Sequence, residues 1–403
     1  MLLRPAFGKL ALFGCLAACA GGAASTPSPV RLPQPTDTDV SAVPARDPGS
    51  TLPADWKLGP FIEIYVRGYS DSDGDGIGDL RGLTQKLDYL KDLGVTGIWL
   101  MPVTNSQDKD HGYAVSDYRT IEPQYGSLGD FDELLKQAHA RGIGIIIDYV
   151  MNHSAAQNPL FLQSRSAPNA TRRDWYVWSP TKPVGWSIYG KDPWYQGVSG
   201  YYFGGFWDQM PDFNLRNPAV LAYHRDGIRF WLNRGVDGFR FDAVGNLVEN
   251  GPNAWELQRE NYTIMGDIRA VVDGYANRYL VCEAPGDPLG FTQASACGSA
   301  FAFGHNYEIM KAVNGSDSAV RAVASYFTRA PATLATMLSN HDHFAGERLW
   351  DQVSGDIARY KLAAASYLLL PGVPFIYYGE EIGMAGGVGL TGDWKLRTPM
   401  SWT

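Results

Sequence analysis

From Phe61 onward the chain alternates short apolar, β-rich runs with stretches whose apolar residues recur at helical spacing. FIEIYVR (61–67), TGIWLMP (96–102), GIIIDYV (144–150) and VDGFRFD (236–242) read as strands. YLVCE (279–283), SAFAFGH (299–305), TLATMLSN (333–340) and VPFIYYGEE (373–381) complete a set of eight, the sixth being the weakest. Between them the spacing predicts helices over 80–93, 128–142 and 217–234, the first two closed by Gly94 and Gly142. Strands alternating with helices mean βα units around a parallel sheet, and eight in order is the count of a (β/α)8 barrel. One stretch breaks the rhythm. About 65 residues after the third strand show no period, and residues 175–207 within it hold twelve aromatics, Trp175, Trp178, Trp186, Trp194 and Trp207 among them. A loop of that length is a small subdomain or a functional roof. The expected division is therefore 55–151 and 216–403 for the barrel and 152–215 for the insertion.

The first 54 residues do not join the pattern. Arg4 and Lys9 precede the apolar run LALFGCLAA, which is too short for a membrane-spanning helix and reads as an export signal over 1–19. Leu16-Ala17-Ala18-Cys19 resembles a bacterial lipobox. On that reading Cys19 carries the lipid, membrane contact is through this anchor only, and the protein sits in the cell envelope; ordinary secretion is the alternative. Residues 20–54, rich in Pro, Ser and Thr, read as a disordered spacer.

A net charge of −8 without a basic run excludes a nucleic-acid surface. Four cysteines include Cys15 in the signal and Cys19; Cys282 and Cys297 remain, either paired or as two thiols, and no CxxC metal motif occurs.

Three acids stand at the exits of apolar runs: Asp242, Glu283 and Asp342, 41 and 59 residues apart. A barrel delivers the C-terminal ends of its strands to one rim, so these carboxylates converge there, suited to acid/base and nucleophilic work. Arg240 and His341 accompany them. A second acidic group, Asp71-Ser-Asp73-Gly-Asp75-Gly-Ile77-Gly-Asp79, sets oxygen donors at alternate positions with glycines that permit a tight wrap. It predicts a structural Ca²⁺ site on Asp71, Asp73, Asp75, Ile77 and Asp79; Gly82 in the twelfth position excludes an EF-hand.

The stretches DSDGDGIGDLRGLTQKLDYLKDLGVTGIWLMP, DYVMNH, GFRFDAV, the Glu after strand five, SNHD and LPGVPFIYYGEEIGM resemble the α-amylase superfamily, glycoside hydrolase family thirteen. The resemblance runs from about Phe61 to the end. It implies a (β/α)8 barrel with a subdomain after strand three, a C-terminal β-sandwich that is expected to be missing here, the chain being either a fragment or a barrel that closes unusually, and retaining cleavage of α-glucosidic bonds. The eighth helix is likewise not visible. In retention two carboxyls roughly 5–5.5 Å apart flank the bond. By resemblance Asp242 is the nucleophile, Glu283 the acid/base and Asp342 the group that grips the distorted sugar. Arg240 orients Asp242 and keeps it ionised, His153 and His341 bond the reacting sugar, Tyr113 stacks under it, and Asp148 and Asn152 position neighbours.

Departures bear on specificity. Ala114 stands where exo-acting α-glucosidases have an Asp, while Arg397, that Asp's usual partner, is retained. Ala243 follows the nucleophile as in α-1,4-acting members. Gly245 and Asn246 replace a Lys-His pair, so no calcium is expected between barrel and insertion. Met210-Pro-Asp-Phe-Asn-Leu is similar to the form found in an intermediate subgroup that includes lipid-anchored bacterial enzymes. The expectation is a monomeric, endo-acting α-1,4-glucan hydrolase on starch-like glucans or maltooligosaccharides. An α-glucosidase or transglycosylase, and a glucan-binding barrel without catalysis, are the alternatives.

Overall fold

The computed structural model describes residues 39–402. The export signal, Cys15, Cys19 and the first part of the spacer lie outside the described residues. Among those described, no helix is long and apolar enough to cross a membrane.

Seven of the eight expected strands form one parallel sheet: β1 (Phe61–Ile64), β2 (Gly97–Leu100), β3 (Gly144–Val150), β4 (Gly238–Asp242), β5 (Tyr279–Cys282), β7 (Ala335–Thr336) and β8 (Val373–Tyr377). Their order is β5-β4-β3-β2-β1-β8-β7. The weak sixth segment shrinks to two parallel bridges at residues 300–301 (β6), Cys282 to Ala300 and Phe301 to Ala335, which join β5 to β7 and complete the ring. Every residue of β1 to β5 is buried, as strands covered on both faces must be.

Helices lie between the strands as the spacing required, with two differences. Leu128–Ala140 starts at a Ser127/Asp130 capping box, and Pro218–Asn233 at Asn217, whose side chain accepts from the Ala219 N–H. The helix expected over 80–93 is instead two, Leu80–Gln85 and Leu87–Asp92. The turn tightens at Lys86, whose N–H bonds the Leu83 carbonyl three residues back. Strand one also ends early, because Val66–Tyr69 closes into a helical turn.

The bottom of the barrel is plugged by aromatics: Phe61 stacks on Phe375 at 4.7 Å and packs against Trp56 and Tyr279. Room for them comes from glycine. A Cβ on Gly97 would meet the Phe61 ring at 2.3 Å, and one on Gly144 would meet Trp56 at 2.2 Å. The second part of the expected spacer belongs to this end rather than to solvent. Asp47 accepts the Ala276 N–H, Arg278 bonds the Gly49 carbonyl, and Leu52 is buried in the same cluster as Trp56. Three polar side chains of the barrel, Asp226, Asn233 and Arg278, and the backbone N–H of Ala276 thus find partners on 39–54, which composition alone does not reveal.

The insertion carries a three-stranded antiparallel sheet (Trp178–Ser179, Tyr201–Phe203, Trp194–Gln196) and a small core of Ile188, Trp194 and Phe203 with Trp186 against it. Trp175, Tyr176 and Tyr202 belong instead to the main core, with Trp178 and Tyr195 packed against it. Tyr189 and Phe206 differ: they face the barrel rim.

Candidate active site

Register assembles the site. In the parallel pairing of β3 with β4, Asp148 lies beside Arg240 and Val150 beside Asp242, so the aspartate and the arginine share the interior face. Asp242 ends β4 and Glu283 directly follows β5. Both carboxyls line a cavity of about 750 Å³ together with Asp342, Tyr113, His153, Arg397 and His111.

Arg240 is fully buried and is the hub. Its Nη1 donates to Asp242 Oδ1 at 2.6 Å and to both Asp148 oxygens at 3.0 Å, and its Nη2 donates to Glu283 Oε2 at 2.7 Å. Asp242 and Glu283 are thus fixed to neighbouring nitrogens of one rigid fork. Glu283 Oε2 also accepts the Ala243 N–H at 3.1 Å, leaving Oε1 to carry a proton. Ala243 takes a left-handed backbone, φ 47°, to aim that N–H. Burial lifts Glu283 to about 7; Asp242 and Asp342 add to the rise and Arg240 opposes it. Burial also raises Asp242 above the ordinary aspartate value despite Arg240. Orientation of Asp242 by Arg240 agrees with expectation, whereas the expected net lowering of its pKa does not, because desolvation outweighs the cation.

His341 sits between acids. Its Nδ1 is 2.5 Å from Glu63 Oε1 and its Nε2 is 2.7 Å from the Tyr113 hydroxyl and 3.1 Å from Asp342 Oδ2. Burial disfavours its charge, yet Asp342 and Glu63 hold the ring protonated up to about 10. Asp342 moves the other way: burial opposes ionisation, but His341 and Arg397 keep its carboxyl well below the usual range. Arg397 donates from Nη2 to Asp342 at 3.1 Å and from Nε to the His341 carbonyl at 3.0 Å, and it also meets Asp393 and Asp110.

Tyr113 stacks on His341 with centroids 5.4 Å apart, and its hydroxyl donates to Asp148 Oδ2 at 2.8 Å. His153 is buried and neutral, its pKa pressed to about 3 by desolvation, and its Nε2 has no partner among the described residues. Asn152 donates to Asp212 Oδ2 at 3.0 Å, tying the end of β3 to the insertion.

The acidic loop lies apart from the cavity. Asp71, Asp73 and Asp79 bring carboxylate oxygens within 4.8 Å of one another, a group that does not include Asp75. Asp75 instead accepts the Ile77 N–H at 2.7 Å, closing a turn between Gly74 and Gly76 at φ 85° and 89° and the rest of the loop. Three hard oxygen donors on a tight wrap fit a calcium-like cation.

Sequence reading missed Glu63, whose signal was a lone acid inside the apolar run FIEI. It also missed Tyr189, Phe206 and Leu257, on loops, and Phe344 and Asp393, in single 3-10 turns, all in the cavity wall and without a distinguishing pattern.

A family profile described as "Alpha amylase, catalytic domain" matches residues 63–403. "Alpha-amylase 3" of Dictyoglomus thermophilum is 37% identical over 360 residues, covering 86% of this chain and 68% of that protein. "Trehalose synthase/amylase TreS" of Mycolicibacterium smegmatis is 35% identical over 410 residues, covering 88% and 68%. Among solved structures, the alpha-amylase from H. orenii superposes with a TM-score of 0.76 at 36% identity, over 86% of this chain and 73% of that one. With the barrel, the inserted subdomain and this match across most of its length, the chain belongs to the α-amylase family, glycoside hydrolase family thirteen.

Proposed function

We propose that the protein is a retaining endo-hydrolase of α-1,4-glucosidic bonds in starch-like glucans, an α-amylase. The observation that carries this reading is the pair of carboxyls on the Arg240 fork, Glu283 raised to about 7 and Asp242 bonded to the neighbouring guanidinium nitrogen beside it. Asp242 attacks the anomeric carbon as Glu283 passes its proton to the glycosidic oxygen, and the leaving chain departs. In the second half Glu283 takes a proton from water, the water oxygen bonds the anomeric carbon, and the ester to Asp242 breaks. Asp342, ionised between Arg397 and His341, and the unpaired His153 Nε2 supply hydrogen-bonding groups for the hydroxyls of the reacting sugar.

A second reading, an α-glucosidase or transglycosylase, is favoured by the ion bridge from Arg397 to Asp110 and Asp393, which gathers charged groups beside Asp342. Timed products from maltoheptaose, with their anomeric configuration, separate the readings. The endo reading expects several α-configured maltooligosaccharides at first; glucose alone, or chains longer than the substrate, would replace it.

We further propose Ca²⁺ on Asp71, Asp73 and Asp79, neutralising the loop in a structural role. Export to an oxidising compartment, by lipid anchor or secretion, is supported by the disulfide between Cys282 and Cys297.

A further inference from the structure

Among the described residues six that are not glycine have positive φ, and three of these, Tyr189, Ala243 and Leu257, line the cavity that holds Asp242 and Glu283. A left-handed backbone is unfavourable for any residue with a Cβ and survives where its surroundings enforce it, often at functional sites. Ala243 has its reason in the N–H it gives Glu283. Tyr189 and Leu257 take no part in the chemistry described above.

Leu257, at φ 53°, donates its N–H to the Gly245 carbonyl at 2.7 Å, and Asn261 Nδ2 donates to the same oxygen at 2.5 Å. Its side chain fills space that two glycines leave open. A Cβ on Gly286 would come within 2.8 Å of Leu257 Cδ1, and one on Gly245 within 3.4 Å of Cδ2. Gly245 is three residues past Asp242 and Gly286 three past Glu283, so the leucine spans the two loops that follow the reacting acids. Tyr189, at φ 49° and 61% exposed, accepts from Asn246 Nδ2 at 3.5 Å. Its ring lies on Phe206 with centroids 6.0 Å apart and meets the edge of Trp255 at 5.3 Å. Both side chains therefore rest on the turn after the nucleophile.

The cavity is asymmetric. Arg397, Asp393, Asp342 and His111 make one part of its lining charged and polar, suited to the hydroxyls of the glycosyl unit that reacts. Tyr189, Phe206, Leu257 and Pro285 make another part apolar. Sugars and aryl groups bind such walls through their flat C–H or π faces.

We propose that Tyr189 and Leu257 form an apolar clamp that selects the group departing on Glu283, specifying one with a flat apolar face, a glucose ring or an aryl aglycone. The clamp rests on the assignment of Asp242 and Glu283 made above. It holds the incoming alcohol by the same contacts in transfer: the alcohol oxygen bonds the anomeric carbon, its proton passes to Glu283, and the ester electron pair returns to Asp242.

Two substrates with one glycosyl unit test it. 4-Nitrophenyl α-maltoside has a ring to clamp, and α-maltosyl fluoride has none. Glycine accepts positive φ, so Leu257→Gly and Tyr189→Gly remove the side chains without straining the backbone. Each lowers kcat/KM for the aryl maltoside about tenfold, the scale of one apolar pocket contact, and leaves the fluoride within twofold. Leu257→Asn, which keeps bulk and tolerates the same φ, reproduces the selective loss. Equal losses on both substrates, or none on either, overturn the clamp. A wild-type protein inactive on both overturns the glycosidase reading, and the clamp with it.

Discussion

Replacing Arg240 by lysine separates the charge of this residue from its shape. The side chain is fully buried, and its two terminal nitrogens serve three carboxyls: Asp242 at 2.6 Å, Glu283 at 2.7 Å and Asp148 at 3.0 Å. An ammonium keeps the positive charge, so no carboxylate is left uncompensated, but a point donor on a flexible stem cannot hold Asp242 and Glu283 apart at fixed positions. A hydrogen bond to a charged group contributes about 1.5–3 kcal/mol, so two of them amount to about 3–6 kcal/mol. If that energy is expressed in the transition state, where both acids must meet one bond, it corresponds to a fall of roughly 10²–10⁴ in kcat/KM. Initial rates on a soluble maltooligosaccharide, with a thermal melt of the same preparation, give the answer. Arg240→Lys within fivefold of wild type, and equally stable, would show that the acids hold their geometry without the fork. The wider loss expected of Arg240→Gln is not diagnostic, because it also strands buried charge.

The descending limb of the kcat/KM–pH profile lies near pH 7, where Glu283 loses its proton, and Asp342→Asn moves that limb to lower pH by removing a negative charge that raises Glu283. Glu283→Gln loses at least 10³-fold on maltooligosaccharides but far less on α-maltosyl fluoride, whose leaving group needs no proton; equal losses would remove Glu283 from the acid role. His341 binds its proton more tightly folded than unfolded, so its contribution to stability is complete below about pH 6.5 and is lost as pH rises toward about 10. Melts across that range fall in wild type and flatten in His341→Gln. Calcium chelation lowers Tm by several degrees, and Asp71→Ala makes Tm insensitive to the chelator; a chelator without effect on wild type would dismiss the cation.

Legibility in the sequence followed how each residue acts. Seven barrel strands could be read because continuous burial demands continuous apolar runs, and GIIIDYV is one. The sixth could not, since two bridges at residues 300–301 require almost no pattern. Asp242, Glu283 and Asp342 stood out as charges at the ends of such runs. Asp110, which reaches Arg397 at 3.5 Å, did not, because it lies in a polar loop where another aspartate is unremarkable. The same holds for residues 39–54: their partners, Asp226, Asn233 and Ala276, are brought near only by the closed barrel. Leu257 shows the limit most plainly. A leucine beside Glu256 carries no sign of a positive φ, which depends on the Gly245 carbonyl that receives its N–H.

The charges of the site also explain why it needs so many cations for two reacting acids. Arg240, Arg397 and His341 lie against the carboxyls of Glu63, Asp148, Asp242, Glu283 and Asp342, and Arg397 also meets Asp110 and Asp393. Three cations therefore face seven carboxyls before substrate arrives, in a buried setting that screens charge poorly. An oxocarbenium-like transition state brings positive charge to the anomeric carbon, next to Asp242. Replacing Glu63 with glutamine would remove one of the two acids that hold the proton on His341, weaken the hold of His341 on Asp342, and alter that field although Glu63 touches no substrate. The loss would therefore fall on kcat more than on KM, the mark of a group that acts through the transition state alone.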